Sequence, residues 1–174
     1  VDTDAQYDAA QIAALPDMTS LAAGRFTTCG VTELGAVWCW GDDRNLQLGQ
    51  GGTGTQSAAP VEVTGLPEVD QVSVGNAHVC ARGVDGSLWC WGSNSYGQLG
   101  SGTVGVDRSI PAQVPGIGAS VRQVAAGSEH TCALTAAAGV RCWGRNGSNQ
   151  LGDGTTTDRT APITPTGLSS GARS

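Results

Sequence analysis

The segment HVCARGVDGSLWCWG at positions 78–92 occurs, in variant form, three times in this chain. Cys29-Gly-Val-Thr-Glu-Leu-Gly-Ala-Val-Trp-Cys-Trp-Gly41 matches it 51 positions earlier, and Cys132-Ala-Leu-Thr-Ala-Ala-Ala-Gly-Val-Arg-Cys-Trp-Gly144 matches it 52 positions later. The likeness runs on in both directions. Leu21-Ala-Ala-Gly24, Val72-Ser-Val-Gly75 and Val124-Ala-Ala-Gly127 precede the cysteines. Asn45-Leu-Gln-Leu-Gly49, Ser95-Tyr-Gly-Gln-Leu-Gly100 and Ser148-Asn-Gln-Leu-Gly152 follow them. A Gly/Thr-rich loop and a proline (Pro60, Pro111, Pro162) then lead into a short alternating run that closes each unit. A unit of about 50 residues cannot bury its apolar face alone and must stack on its neighbours.

The units read as all-β. The chain has 27 glycines and five tryptophans but one phenylalanine and one methionine, the makeup of many short strands joined by tight turns. Each unit holds four expected strands; in the middle unit they fall at 69–75, 78–83, 87–92 and 110–114. The expected architecture is a partial β-propeller of three four-stranded blades, incomplete as a single-chain ring. Its divisions are an N-terminal arm at 1–14, blades at 15–65, 66–116 and 117–166, and at 167–174 a lead-in to a further repeat. Gly167-Leu-Ser-Ser-Gly-Ala-Arg-Ser174 resembles Gly116-Ile-Gly-Ala-Ser-Val-Arg-Gln123, the segment that opens the third unit. The chain starts at Val1 with no charged or apolar leader segment, so the expectation is either a processed leader or an interior piece of a longer protein.

Each cysteine pair brackets nine residues that include a turn signal. A three-residue hairpin loop with glycine in the left-handed position, centred on Asp85, places Cys80 opposite Cys90. The same count centres the first loop on Leu34 and sets Cys29 opposite Cys39. In the third unit the centre is Ala137 and Gly139 falls one position late, so that turn should differ while Cys132 still faces Cys142. Opposed residues on antiparallel strands lie close enough for a disulfide. The competing readings are six small buried hydrophobes and a zinc site. The ten-residue spacing lacks the closely spaced ligand pair that zinc needs, and packing alone would not require both cysteines in every unit. Three disulfides imply an oxidising compartment and therefore export.

Several polar groups invite chemical roles. His78 and His130 hold equivalent positions, with Thr27 in the first unit. They should sit on different blades, so a strand-corner hydrogen bond is preferred to a shared site. Gly152-Asp-Gly-Thr-Thr-Thr-Asp158 suggests a calcium loop, yet the equivalent loops lack the acids and calcium takes six to eight oxygens. Asp42-Asp43 reads as a solvated acidic pair. Asn146-Gly-Ser148 fits the glycosylation sequon. No serine stands in a nucleophile elbow. Trp38, Trp40, Trp89, Trp91 and Trp143 stand at repeat positions and read as blade core. No catalytic residue, metal site or cofactor is expected. Net charge is −6 and all nine basic residues are scattered arginines, which argues against nucleic-acid binding. No stretch of 18 apolar residues offers a membrane span.

The run Val124-Ala-Ala-Gly-Ser-Glu-His-Thr-Cys-Ala-Leu134, the Cys-Trp-Gly after the turn, the Gln-Leu-Gly downstream and Asp-Arg-x-x-Pro at 107–111 and 158–162 resemble the regulator of chromosome condensation repeat family. The resemblance covers residues of about 15–168. It implies four-stranded blades, usually seven, in a ring, and the cysteine-bearing version is similar to a bacterial exported branch. Fold alone does not give function. The expected role is a non-catalytic extracellular or cell-surface module that binds a protein partner or further copies of itself. Variable rim loops at 42–59, 93–109 and 145–161 would do the binding. The alternatives are a structural subunit of an extracellular filament or multi-chain ring, and a fragment of a longer propeller inhibitor or enzyme.

Overall fold

The computed structural model describes residues 15–167 apart from 118, 119 and 138. The expected N-terminal arm and the lead-in beyond Gly167 lie outside them. The described residues form twelve strands in three four-stranded antiparallel sheets and no helix. The first sheet contains β1 (Met18–Ala23), β2 (Thr27–Thr32), β3 (Val37–Gly41) and β4 (Ser57–Val63). The second contains β5 (Val69–Val74), β6 (His78–Gly83), β7 (Leu88–Gly92) and β8 (Arg108–Gln113). The third contains β9 (Val121–Ala126), β10 (His130–Thr135), β11 (Val140–Gly144) and β12 (Arg159–Ile163). Strand order follows chain order in every sheet, so each is a meander, the blade of a propeller. The fourth strand of the middle blade starts two residues earlier than expected. Arg108 pairs with Gly92 across a bulge between Cys90 and Gly92, a shift that periodicity cannot foresee.

The hairpin loops explain the register. In the second blade Gly83 and Ser87 close a three-residue loop, and Gly86 takes a φ of 80°. In the first, Thr32 and Ala36 close the loop and Gly35 has a φ of 74°. Such a conformation is cheap only for glycine. The third loop closes between Thr135 and Gly139. There Gly139 closes the loop opposite Thr135, without a left-handed φ. This is the difference expected from its late position.

The core lies between blades. One cluster joins Val31, Val37 and Leu48 of the first blade to Val72, Val79 and Trp91 of the second. Another joins Cys80, Leu88 and Leu99 to Val124, Ala133 and Trp143. Three hydrogen bonds recur at both boundaries. Val69 N–H donates to the Gly35 carbonyl (3.0 Å), and Val121 to Gly86 (2.9 Å). Gly51 N–H donates to the Ser109 carbonyl (2.6 Å), and Gly102 to Thr160 (2.8 Å). The indole N–H of Trp91 donates to the Gln47 carbonyl (2.9 Å), and that of Trp143 to Gln98 (2.8 Å). Trp91 and Trp143 are fully buried; truncating either to Ala should cost about 4 kcal/mol. Trp38, Trp40 and Trp89 are only partly buried, so the reading of all five tryptophans as core holds for two. Glycines let the blades approach: a Cβ on Gly75 would stand 2.6 Å from the Gly127 carbonyl oxygen and 2.4 Å from the His78 ring.

Candidate functional site

The six cysteines form three disulfides, Cys29–Cys39, Cys80–Cys90 and Cys132–Cys142, with Cα atoms 4.1, 4.2 and 4.1 Å apart. Each pair is directly opposed in the register of its hairpin. The loop-closing bonds fix which pairs exchange hydrogen bonds. Counting back from Thr32/Ala36, Gly83/Ser87 and Thr135/Gly139 puts every cysteine pair at a non-hydrogen-bonded position, where antiparallel backbones come closest. The disulfides brace blades from within and link no blade to another.

The long rim loops are built rather than slack. Asp43, Asn94 and Asn146, each two residues after the glycine that ends the third strand, are buried at their centres. Their side-chain oxygens accept the N–H of Leu48 (2.8 Å), Leu99 (3.1 Å) and Leu151 (3.0 Å). Asp43 is therefore no solvated carboxylate. It stands where the other blades use an amide, and burial pushes its carboxyl up from the ordinary range, against the pull of the Leu48 N–H. Its neighbour Asp42 pairs with Arg44 at 2.9 Å, and that hydrogen bond holds Asp42 low.

Asn146 is wholly buried, and its Nδ2 donates to the carbonyls of Thr155 (2.8 Å) and Thr157 (3.1 Å) and to Asp153 Oδ1 (3.0 Å). An amide so engaged cannot carry a glycan in the folded protein. The supposed calcium loop is likewise occupied by protein. Asp153 accepts from the Thr155 N–H and hydroxyl and pairs with Arg159. The Thr155 hydroxyl bond, reinforced by Arg159, holds its carboxyl far below the ordinary range. Asp158 accepts the Asn146 N–H at 2.7 Å. Among the described residues no three His, Cys, Asp or Glu side chains gather as a metal site.

His78 departs from the strand-corner role. It is fully buried, and its Nε2 lies 3.0 Å from the Thr131 hydroxyl of the next blade. Thr131 donates its single proton to the Gln98 carbonyl at 2.9 Å, so the imidazole must donate from Nε2. Its Nδ1 then has no hydrogen-bond partner. Burial, with a smaller contribution from His130, lowers the His78 pKa to about 4. His130 is partly exposed and is lowered by burial as well.

An open cleft of about 470 Å³ lies at one rim, lined by Arg25, Phe26, Arg44, Asn45, Asn76 and Glu129 among others. The short turns that join the first two strands of each blade supply Arg25, Phe26, Asn76, Ala77 and Glu129, and the long loop after β3 supplies Asp42, Arg44 and Asn45. Phe26 is 53% exposed, with the Arg25 guanidinium 4.8 Å from its ring centre. A neighbouring cleft shares Phe26, Asp42 and Arg44 and adds Gln56 and Ser57. On the adjacent blade Arg145 pairs with Glu129 and stands 5.1 Å from the Tyr96 ring. Sequence reasoning directed attention to the long loops. These supply Asp42 and Arg44, but the exposed ring comes from the two-residue turn at 25–26. The signal was the chain's single phenylalanine at a turn position where the other units have Ala77 and Glu129.

Models of the regulator of chromosome condensation (RCC1) repeat match residues 35–82 and 85–134, and, in a second form, 18–47, 69–98 and 121–150. The ultraviolet-B receptor UVR8 of Arabidopsis thaliana is 36% identical over 149 residues, 83% of this chain and 33% of the receptor. The probable E3 ubiquitin-protein ligase HERC4 of Homo sapiens is 33% identical over 149 residues, 83% of this chain and 14% of the ligase. The chain thus spans a third or less of these relatives. Yeast RCC1 (Prp20), solved bound to Kap60, superposes with a TM-score of 0.77 at 20% identity over 87% of this chain and 37% of that one, a likeness of fold.

Proposed function

Because the chain belongs to the regulator of chromosome condensation repeat family, we propose that it is a non-catalytic propeller module that binds a protein partner through the rim around Phe26. The observation that carries this reading is the cleft itself. It exposes an aromatic ring and the guanidinium groups of Arg25 and Arg44 together, and aromatic and arginine side chains dominate the energetics of protein interfaces. Both carboxylates of the cleft are already paired, Asp42 with Arg44 and Glu129 with Arg145.

The three disulfides are consistent with an oxidising compartment. They support an extracellular or cell-surface setting. The test is affinity capture from the source cell surface on immobilised wild-type protein and on a Phe26→Ala/Arg44→Ala variant. Partners held by the first and lost by the second support the rim. Identical captured sets on both refute it.

A second reading, surface assembly, is favoured by the blade faces. Leu21 is 64% exposed where its counterparts Val72 and Val124 are buried. An uncovered face of this kind invites another repeat. Sedimentation of the oxidised chain tests it, since a monomer at every concentration refutes assembly.

A further inference from the structure

The long loop of the middle blade is built like that of the third blade but leaves one charge without its partner. Asn94 and Asn146 centre the two loops in the same way, with Nδ2 donating to the Thr103 and Thr155 carbonyls at 3.0 and 2.8 Å. The same amides reach Ser101 Oγ at 3.4 Å and Asp153 Oδ1 at 3.0 Å. Ser101 therefore stands where the third blade has Asp153. Arg108 and Arg159 also hold one position, each opposite the glycine that ends the third strand of its blade, Gly92 or Gly144. Arg159 pairs with Asp153 inside its own loop. In the middle blade the serine at that place carries no charge. Arg108 is exposed and makes no ion pair among the described residues.

Three exposed aliphatic side chains flank that arginine along the chain: Val104 at 56%, Val106 at 54% and Ile110 at 55%. The first blade has Thr53, Thr55 and Ala59 at the matching places, and the third has Thr156, Thr157 and Ala161. Positions 104–110 run along the end of the loop and into β8, the edge strand of its sheet. Both neighbouring blades are already docked here. The Gly51 N–H of the first blade bonds the Ser109 carbonyl, and the Gly102 N–H bonds the Thr160 carbonyl of the third. These contacts leave the three aliphatics and Arg108 uncovered. Single exposed aliphatics are ordinary on a protein surface. Aliphatics gathered around an unpaired guanidinium are the makeup of an interface.

We propose that the outer edge of the middle blade docks an extended segment of a partner protein that carries an aspartate or glutamate between aliphatic side chains. The carboxylate takes the place on Arg108 that Asp153 fills on Arg159, and its aliphatic neighbours pack on Val104, Val106 and Ile110. The charge-assisted pair fixes the register of the segment, and the apolar contacts add buried area. This surface shares no residue with the cleft around Phe26, so it goes beyond the rim reading and is tested apart from it.

The test is selection of a phage-displayed library of random peptides on the oxidised full chain, with the enriched peptides then measured by fluorescence anisotropy. Enriched peptides should carry an acidic residue flanked by aliphatic ones. Ser101→Asp gives Arg108 an internal partner and leaves every aliphatic in place, and it should weaken binding about tenfold. Arg108→Gln should weaken it about as much. Ser101→Asn is the uncharged control and should bind as wild type does. Val104→Thr/Val106→Thr/Ile110→Ala installs the first blade's own residues and should cost about tenfold or more. Far-UV circular dichroism reports that each variant folds. The proposal is overturned if no peptide is enriched, if the enriched peptides lack an acidic residue, or if Ser101→Asp and Arg108→Gln bind them as tightly as wild type. Peptides lost only on Phe26→Ala/Arg44→Ala belong to the rim cleft, which overturns this surface and leaves the rim reading standing.

Discussion

Acid should weaken this propeller through His78. The imidazole is fully buried and its Nε2 proton is committed to Thr131. A second proton would go on Nδ1, which faces no acceptor. The folded-state pKa of about 4 lies below the ordinary value of about 6.5 that the unfolded chain restores. In this window the unfolded state binds the proton and the folded state does not, so stability rises with pH. The contribution is fully present above about pH 6.5 and is lost progressively as pH falls toward 4. The penalty is about 2 kcal/mol at pH 5 and about 3 kcal/mol below pH 4. Urea titrations followed by tryptophan fluorescence between pH 4.5 and 7.5 measure it, with His78→Gln as the reference. Carboxylates such as Asp43 titrate in both proteins, so the difference between the two pH profiles isolates the histidine. Parallel profiles, converging by less than about 1 kcal/mol between pH 7 and pH 5, would refute the reasoning that burial and the unpaired Nδ1 keep this ring neutral.

Three further outcomes are expected. Replacing Cys80 and Cys90 together by alanine should cost about 3 kcal/mol by loop entropy, read as a lowered midpoint in a thermal or urea scan without loss of the other two disulfides. Gly75→Ala should destabilise by several kcal/mol, because its Cβ would stand 2.6 Å from the backbone oxygen of Gly127, whereas Gly147→Ala, with nothing within 4 Å, should be close to neutral in the same scan. Expression in a eukaryotic secretory host should leave Asn146 unglycosylated in intact-mass spectra, and Asn146→Ala should cost about 2 kcal/mol by stranding the Leu151 N–H and two carbonyls.

The blades and their braces were legible in the sequence because both are local. A nine-residue separation with a glycine turn fixes the register of one hairpin, and Cys80 faces Cys90 without reference to the rest of the molecule. The interior of the rim loops was legible in principle. Asp43, Asn94 and Asn146 are aligned two residues past each Cys-Trp-Gly, and only side chains with an acceptor oxygen occur there. Read singly, the same residues looked like a solvated pair and a sequon. The partner of His78 was not legible. Thr131 is 53 residues away, and the bond depends on how one blade sits against the next. The Arg25-Phe26 cleft escaped for a similar reason, since turns from three different blades meet in it.

The placement of the disulfides inside blades bears on how the chain reaches its oxidised state. Six thiols can be joined in 15 ways, yet each cysteine here is bonded to the nearest one along the chain, ten residues away. A newly made hairpin already contains both of its sulfurs. Correct pairing can then proceed in the order of synthesis, one blade at a time, without rearrangement by an isomerase. It also means that evolution can add or delete a whole repeat without orphaning a cysteine.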